Sequence, residues 1–179
     1  MKFLYYLFLT TTLAACSGTI KLYDLDEADC YRLVYGQITT RRMLTDVDKN
    51  QLAKNGLLVQ DFIFENVYSG VWKQNWSGKD LDRTPIRNLN ALTPDQKLAG
   101  GILLSEIEKT ENRNVTLLIQ TIGPMVPESL NSYGRIISEK NSFIRMETGI
   151  RNVSDLSNHP CIKTISILEP ENTPDSNKE

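Results

Sequence analysis

The spacing of the apolar residues changes near Asn114, and that change constrains the fold more than any other feature of the 179-residue chain. Before it, Ile63, Phe64, Val67, Tyr68, Val71, Trp72 and Trp76 recur at helical spacing, with Asp61, Glu65, Asn66, Ser69, Lys73 and Gln74 between them. This pattern predicts a helix over residues 60–75, weakened at Gly70 by up to about 1 kcal/mol. The rival is a hairpin turning at Ser69-Gly70. It ranks second because its register mixes Glu65 and Lys73 among the apolar residues on both faces. Residues 24–35 begin acidic and turn apolar, as a helix start does. Thr45-Asp46 opens a short helix that Asn55-Gly56 stops. Thr93-Pro94 starts another that runs to about Lys109 and buries Leu98, Ile102, Leu103 and Ile107. Gly100-Gly101 inside it costs about 2 kcal/mol, which close packing offsets unless the helix breaks there. Residues 78–93, charged and turn-rich, read as a surface connection.

After Asn114 the pattern is that of strands. Residues 115–122 (VTLLIQTI) form a nearly continuous, β-branched apolar run suited to an interior strand. Residues 133–138, 143–148 and 161–168 follow as three more, the first two joined as a hairpin across 139–142. Residues 169–179 (EPENTPDSNKE) lack apolar side chains and read as a disordered acidic tail. Helices first and strands later predict an α+β fold. About four helices of an N-terminal half pack on a small, mainly antiparallel sheet from the C-terminal half, in one domain over residues 24–168.

The start of the chain is of another kind. Lys2 precedes FLYYLFLTTTLAA, an apolar run over residues 3–15. A bilayer needs about 20 apolar residues, so this run fits a secretory leader. The sequence Leu13-Ala14-Ala15-Cys16 at its end resembles the lipobox of bacterial lipoproteins. The resemblance covers residues 1–16 only. It implies cleavage of a signal peptide, residues 1–15, and lipid on Cys16, with residues 16–23 as anchor and short linker. Two or three acyl chains hold a protein stably where one is marginal. Ser17 stands where an Asp favours inner-membrane retention in enteric-type lipoproteins, so the resemblance points to the outer membrane, facing the periplasm. The alternatives are an ordinary secretory leader, with Cys16 incidental, or a hydrophobic first element of the fold.

With Cys16 so assigned, Cys30 and Cys161 remain. An even number outside the cytosol favours a disulfide, which would pin the first helix to the last strand; two buried thiols are the alternative. A net charge of -2 with 23% charged residues gives no basic surface for nucleic acid.

Few residues carry chemistry. His159 is the one histidine, and no G-x-S-x-G elbow or H-E-x-x-H accompanies it. Asp46, Asp48 and Asn50 open like an EF-hand loop, but Gln51 and Leu57 hold the places of its Gly and bidentate Glu. No cofactor or metal is expected. The aromatic stripe of Phe64, Tyr68, Trp72 and Trp76 is either the core side of a helix or a surface for sugar rings or a partner. Trp76 is its most exposed candidate. These readings favour a non-enzymatic cell-envelope lipoprotein whose periplasmic domain binds a protein partner in assembling or supporting an envelope complex. A narrower alternative is a periplasmic immunity lipoprotein against a toxin. Others are glycan or peptidoglycan binding through Trp72 and Trp76, or a hydrolase using two carboxylates among Glu65, Glu106 and Glu108.

Overall fold

The computed structural model describes residues 25–76, 81–124 and 126–168. The leader, Cys16 and the acidic tail lie outside them. Eight strands form two four-stranded antiparallel sheets, one from each half of the chain. The first comprises β1 (Leu33–Thr40), β2 (Leu57–Phe64), β3 (Val67–Lys73) and β4 (Ile86–Ala91), in the order β2-β3-β1-β4. The second comprises β5 (Asn114–Thr121), β6 (Gly134–Lys140), β7 (Phe143–Gly149) and β8 (Ile162–Leu168), in the order β6-β7-β5-β8. The helices are short: α1 (Glu27–Cys30), α2 (Asp46–Lys54), α3 (Leu104–Ile107) and α4 (Asn152–Asn158).

The expected helical N-terminal half is therefore wrong. Residues 60–75 are the hairpin β2–β3, turning at Glu65-Asn66 rather than at Ser69-Gly70. In β3 the cause is burial on both faces, and at the end of β2 it is large apolar residues left exposed. Ile38, Leu57, Tyr68 and Trp72 pack toward α2 in one core, while Leu33 and Val71 meet Ile122 of the second half in another. A strand covered on both faces loses the period-2 alternation that marks a half-exposed one. Gly70 is no turn residue either. It lies mid-strand, where a Cβ would run into Ile38 Cδ1 and the Leu58 carbonyl. The helix expected after Thr93 breaks into two 3-10 turns, Asp95–Lys97 and Ala99–Gly101, followed by α3. Gly100 and Gly101 both take positive φ, 83° and 72°. The strand β4 falls within the supposed surface connection, and α1 is a single turn rather than a helix over residues 24–35.

Other expectations agree with the structure. The capping box of Thr45 and Asp48 starts α2, and Gly56, at φ 81°, follows its end. The four strands expected after Asn114 are present, with α4 as an unexpected addition.

The two halves repeat one plan. Each has the strand order and antiparallel pairing of the split β-α-β arrangement, and the correspondence extends to single bonds. Thr40, at the end of β1, places its hydroxyl between the carbonyls of Arg42 (2.6 Å) and Asn66 (3.1 Å). Thr121, at the end of β5, does the same with Gly123 (2.6 Å) and Ser142 (3.2 Å). The amide of Arg41 donates to Pro85 O at 2.8 Å, and that of Ile122 donates to Cys161 O at 2.9 Å. The register slips at the same place in each sheet. Thr40 faces Ile86 while Thr39 faces Asn88, and Thr121 faces Ile162 while Gln120 faces Thr164. The identical pairs in these strands, Val34/Val115, Ile38/Ile119, Thr40/Thr121 and Ile86/Ile162, sit toward the helix-side cores or in the shared bonds. The outward positions have diverged, which hides the repeat in the sequence.

The second half is seated on the first. Its β5–β6–β7–β8 end, carrying Ile122 and Lys163, packs on the face of the first sheet that turns away from α2. Leu98 of the connecting segment pairs with Ile165 and covers the outer edge of β8.

Candidate functional site

Three features lie where the halves meet or where the first sheet ends. The first is a set of ties between the segment around α1 and the second half. Cys30, at the end of α1, and Cys161, just before β8, form a disulfide across a sequence separation of 131; both are fully buried. Beside it, the Ser129 hydroxyl donates to Glu27 Oε1, and the Ser129 amide donates to Glu27 Oε2 at 3.4 Å. His159 Nε2 lies 2.8 Å from Ser129 Oγ. His159 Nδ1 accepts from the Cys161 amide at 3.2 Å, so the ring proton sits on Nε2 and points at Ser129.

The proton chain thus runs from His159 to Ser129 to Glu27. A serine nucleophile needs the reverse, with the imidazole accepting the hydroxyl proton. Here that proton faces a carboxylate, and the Ser129 hydrogen bond holds the Glu27 carboxyl below its ordinary range. Such a carboxylate is a weak base. What this arrangement does well is fasten α1 to the second half. Nearby, Lys97 is buried and donates from Nζ to His159 O at 3.0 Å. Burial lowers its pKa to about 8.

The ties titrate with a defined sign. Burial lowers the His159 pKa from the ordinary 6.5, and the Ser129 hydroxyl lowers that of Glu27 from the ordinary 4.5. In both cases the folded state binds protons less readily than the unfolded chain, so stability is full above the ordinary value and falls as pH drops through the folded one. Stability should begin to decline below about pH 6.5 through His159 and decline further through the carboxylate range. At pH 7 the E27Q protein should be about 1 kcal/mol less stable than wild type, and the gap should narrow as pH falls below the ordinary 4.5 and through the lowered folded-state value of Glu27. Urea unfolding across pH checks this. A gap that stays constant with pH would mean the charge of Glu27 contributes nothing.

The second feature is a polar cleft between the halves. A cavity of about 560 Å3 is lined by Gln60, Asp61, Gln120, Thr121, Asn141, Ser142 and Lys163. Lys163 Nζ lies 4.9 Å from the centre of the Tyr35 ring and reaches Gln60 Oε1 at 3.2 Å and Asp61 Oδ2 at 3.3 Å. Ser69 donates to the same Asp61 oxygen at 3.0 Å. A smaller space of about 260 Å3 is lined by Tyr35, Gln37, Ile63, Ser69 and Gln96.

The third feature is the end of the first sheet. Phe62, Ile63 and Phe64, at the tip of β2, are 56%, 45% and 55% exposed, and Met43 is 63% exposed. These residues share one end of the sheet because Thr40 bonds both the 42 carbonyl and the Asn66 turn. The Leu44 amide also donates to Tyr68 Oη at 3.0 Å, and Phe62 packs edge-on against Tyr68. Large apolar residues clustered on one exposed hairpin mark an interaction surface more often than a solvated end.

The sequence-predicted residues are scattered. Trp72 is buried in the core beneath α2 at 6% exposure, and Trp76 is half-buried with its indole N–H donating to Asn55 O at 3.1 Å. Glu65 occupies the hairpin turn at φ 46°. Glu106 caps α3 through the Leu103 amide, Glu108 follows α3 on the surface, and neither cleft is lined by any of the three. Asp48 is held by Arg42, whose guanidinium keeps its carboxyl well below the usual range. Among the described residues no group of three or more His, Cys, Asp or Glu could hold a metal ion, and no helix is long and apolar enough to cross a membrane. Sequence reasoning missed Glu27 and Ser129, which lie 102 positions apart with no local signal to join them. It also missed the hairpin tip, because Phe64 fitted a helical stripe. No family model, curated protein or solved structure matches this chain.

Proposed function

We propose that this chain is a lipid-anchored, non-enzymatic protein of the bacterial cell envelope, and that its periplasmic domain binds a protein partner in assembling or supporting an envelope complex. The observation that carries the binding reading is the exposed apolar end of the first sheet: Met43, Phe62, Ile63 and Phe64. The anchoring reading rests on Leu13-Ala14-Ala15-Cys16 and the apolar run before it. The Cys30–Cys161 bridge fits an oxidising compartment. The wrong proton direction in the His159–Ser129–Glu27 chain favours binding over catalysis.

Two measurements test the two parts. The intact mass of protein purified from its own membranes should show loss of residues 1–15 and added acyl chains on Cys16; an unacylated mature mass would remove the anchor. For binding, crosslinked membranes should yield a protein that co-purifies stoichiometrically with wild type and is lost from the M43S/F64S variant. Met43 and Phe64 belong to none of the core clusters, so their replacement should move the melting temperature by no more than about 2–3 °C. Equal co-purification by both proteins would sink the tip as the binding surface.

A further inference from the structure

The second half shows how such a sheet end is used. Its Ile122 packs against Leu33 and Val71 of the first sheet, and its Lys163 covers the Tyr35 ring and reaches Asp61. The internal repeat identifies the same positions in the first half. Arg41 matches Ile122 through the shared amide bond to the connection before the last strand, and Arg87 matches Lys163 through the shared register slip. In the second half these positions are occupied by an intramolecular contact. In the first they are exposed at the same end of the sheet as the apolar tip, Arg41 two residues before Met43 and Arg87 on β4, at the edge opposite β2.

We propose that this free end, through Arg41, Arg87, Met43 and Phe64, docks on an apolar face bearing carboxylates on a second envelope protein. The proposal rests on the partner-binding reading above and names the chemistry of its partner. The first sheet's own seat shows the recipe: aliphatic and aromatic side chains with a carboxylate that meets the lysine. Replacing Ile122 by Arg41 asks for a further carboxylate where the in-chain seat offers only Leu33 and Val71. Both cations are available for it. The Arg87 side chain makes no hydrogen bond or ion pair with a described residue. Arg41 has only a loose approach of 3.9 Å to Asp82, with both side chains more than half exposed. Arg42 differs, being held at 2.6 Å by Asp48.

A second copy does not fit this end. The matching face of the second sheet carries Thr116 where the first has Tyr35, Arg145 where it has Ser69, and Glu147 where it has Val71. Glu147 is already engaged by Arg135 at 2.6 Å. That face sets two arginines against one carboxylate and would repel Arg41 and Arg87.

The test places a photo-crosslinking residue at position 64, or at the control position 145, in the full chain expressed in its source cells. The crosslinked peptides are then identified by mass spectrometry. The expected result is an adduct from position 64 to a peptide of another protein that contains Asp or Glu. Its yield should fall at least tenfold in R41E/R87E and largely return in R41K/R87K. An adduct of undiminished yield in R41E/R87E, or one formed only with a second copy or with lipid, would overturn the proposal. Adducts to another protein from position 145 alone would overturn it while leaving partner binding intact. No protein adduct from either position would overturn the partner-binding reading as well.

Discussion

Reduction of the Cys30–Cys161 bridge is expected to lower stability by roughly 5 kcal/mol, the chain-entropy value for a loop of this length. The bridge spans 131 positions and so restrains most of the unfolded chain between α1 and β8. It also joins the halves where their other ties are few: the Glu27–Ser129 hydrogen bonds, the small cluster of Leu33, Val71 and Ile122, and Lys163 on Asp61. For a domain of this size the loss corresponds to a fall in melting temperature of about 10–20 °C. Urea unfolding with and without reductant measures it, and a change under about 1 kcal/mol would show that the noncovalent junction holds alone. Loss of the bridge should also raise hydrogen exchange first in residues 27–30, since α1 is one turn long and is then tied to the second half mainly by the Glu27–Ser129 hydrogen bonds.

The W72A protein should lose about 3–5 kcal/mol, as large-to-small changes of buried aromatic residues do. Trp72 is 6% exposed and packs with Ile38, Leu52, Leu57 and Ile86 beneath α2. A residue of the exposed tip gives the contrast: F64S should change stability by less than about 1 kcal/mol. Denaturant midpoints of the two variants decide whether the aromatic stripe divides in this way. A small loss for W72A would mean that the first half has no packed core beneath α2.

The same stripe shows why the first half was misread. Tyr68 and Trp72 point toward α2, and Val71 points to the opposite face, yet at spacings of three and four they imitate one side of a helix. The residue that would have revealed the hairpin is Glu65, and its positive φ is invisible in a turn without Gly. The second half was readable because residues 115–122 form a nearly unbroken apolar run, and the strands from β5 to β8 fall near their expected places. In β1 a similar alternation of burial is carried by Gly36 and Thr40 as well as Leu33 and Ile38, so it leaves no apolar pattern to read. The bridge was legible as well, because setting Cys16 aside leaves two cysteines, an even number that favours pairing. The Glu27–Ser129–His159 chain was not, since contacts between such distant positions leave no mark on local pattern. Cys16 and its lipid stand on the leader alone.

The exposed end of the first sheet carries the central claim, and the size of the native complex in mild-detergent membrane extracts tests it most directly. Wild type should migrate with a mass well above that of one anchored chain, and M43S/F64S, still folded, should migrate as the single chain. If both migrate alike, whether both large or both small, the hairpin tip does not hold a partner and the proposed function loses the observation it rests on.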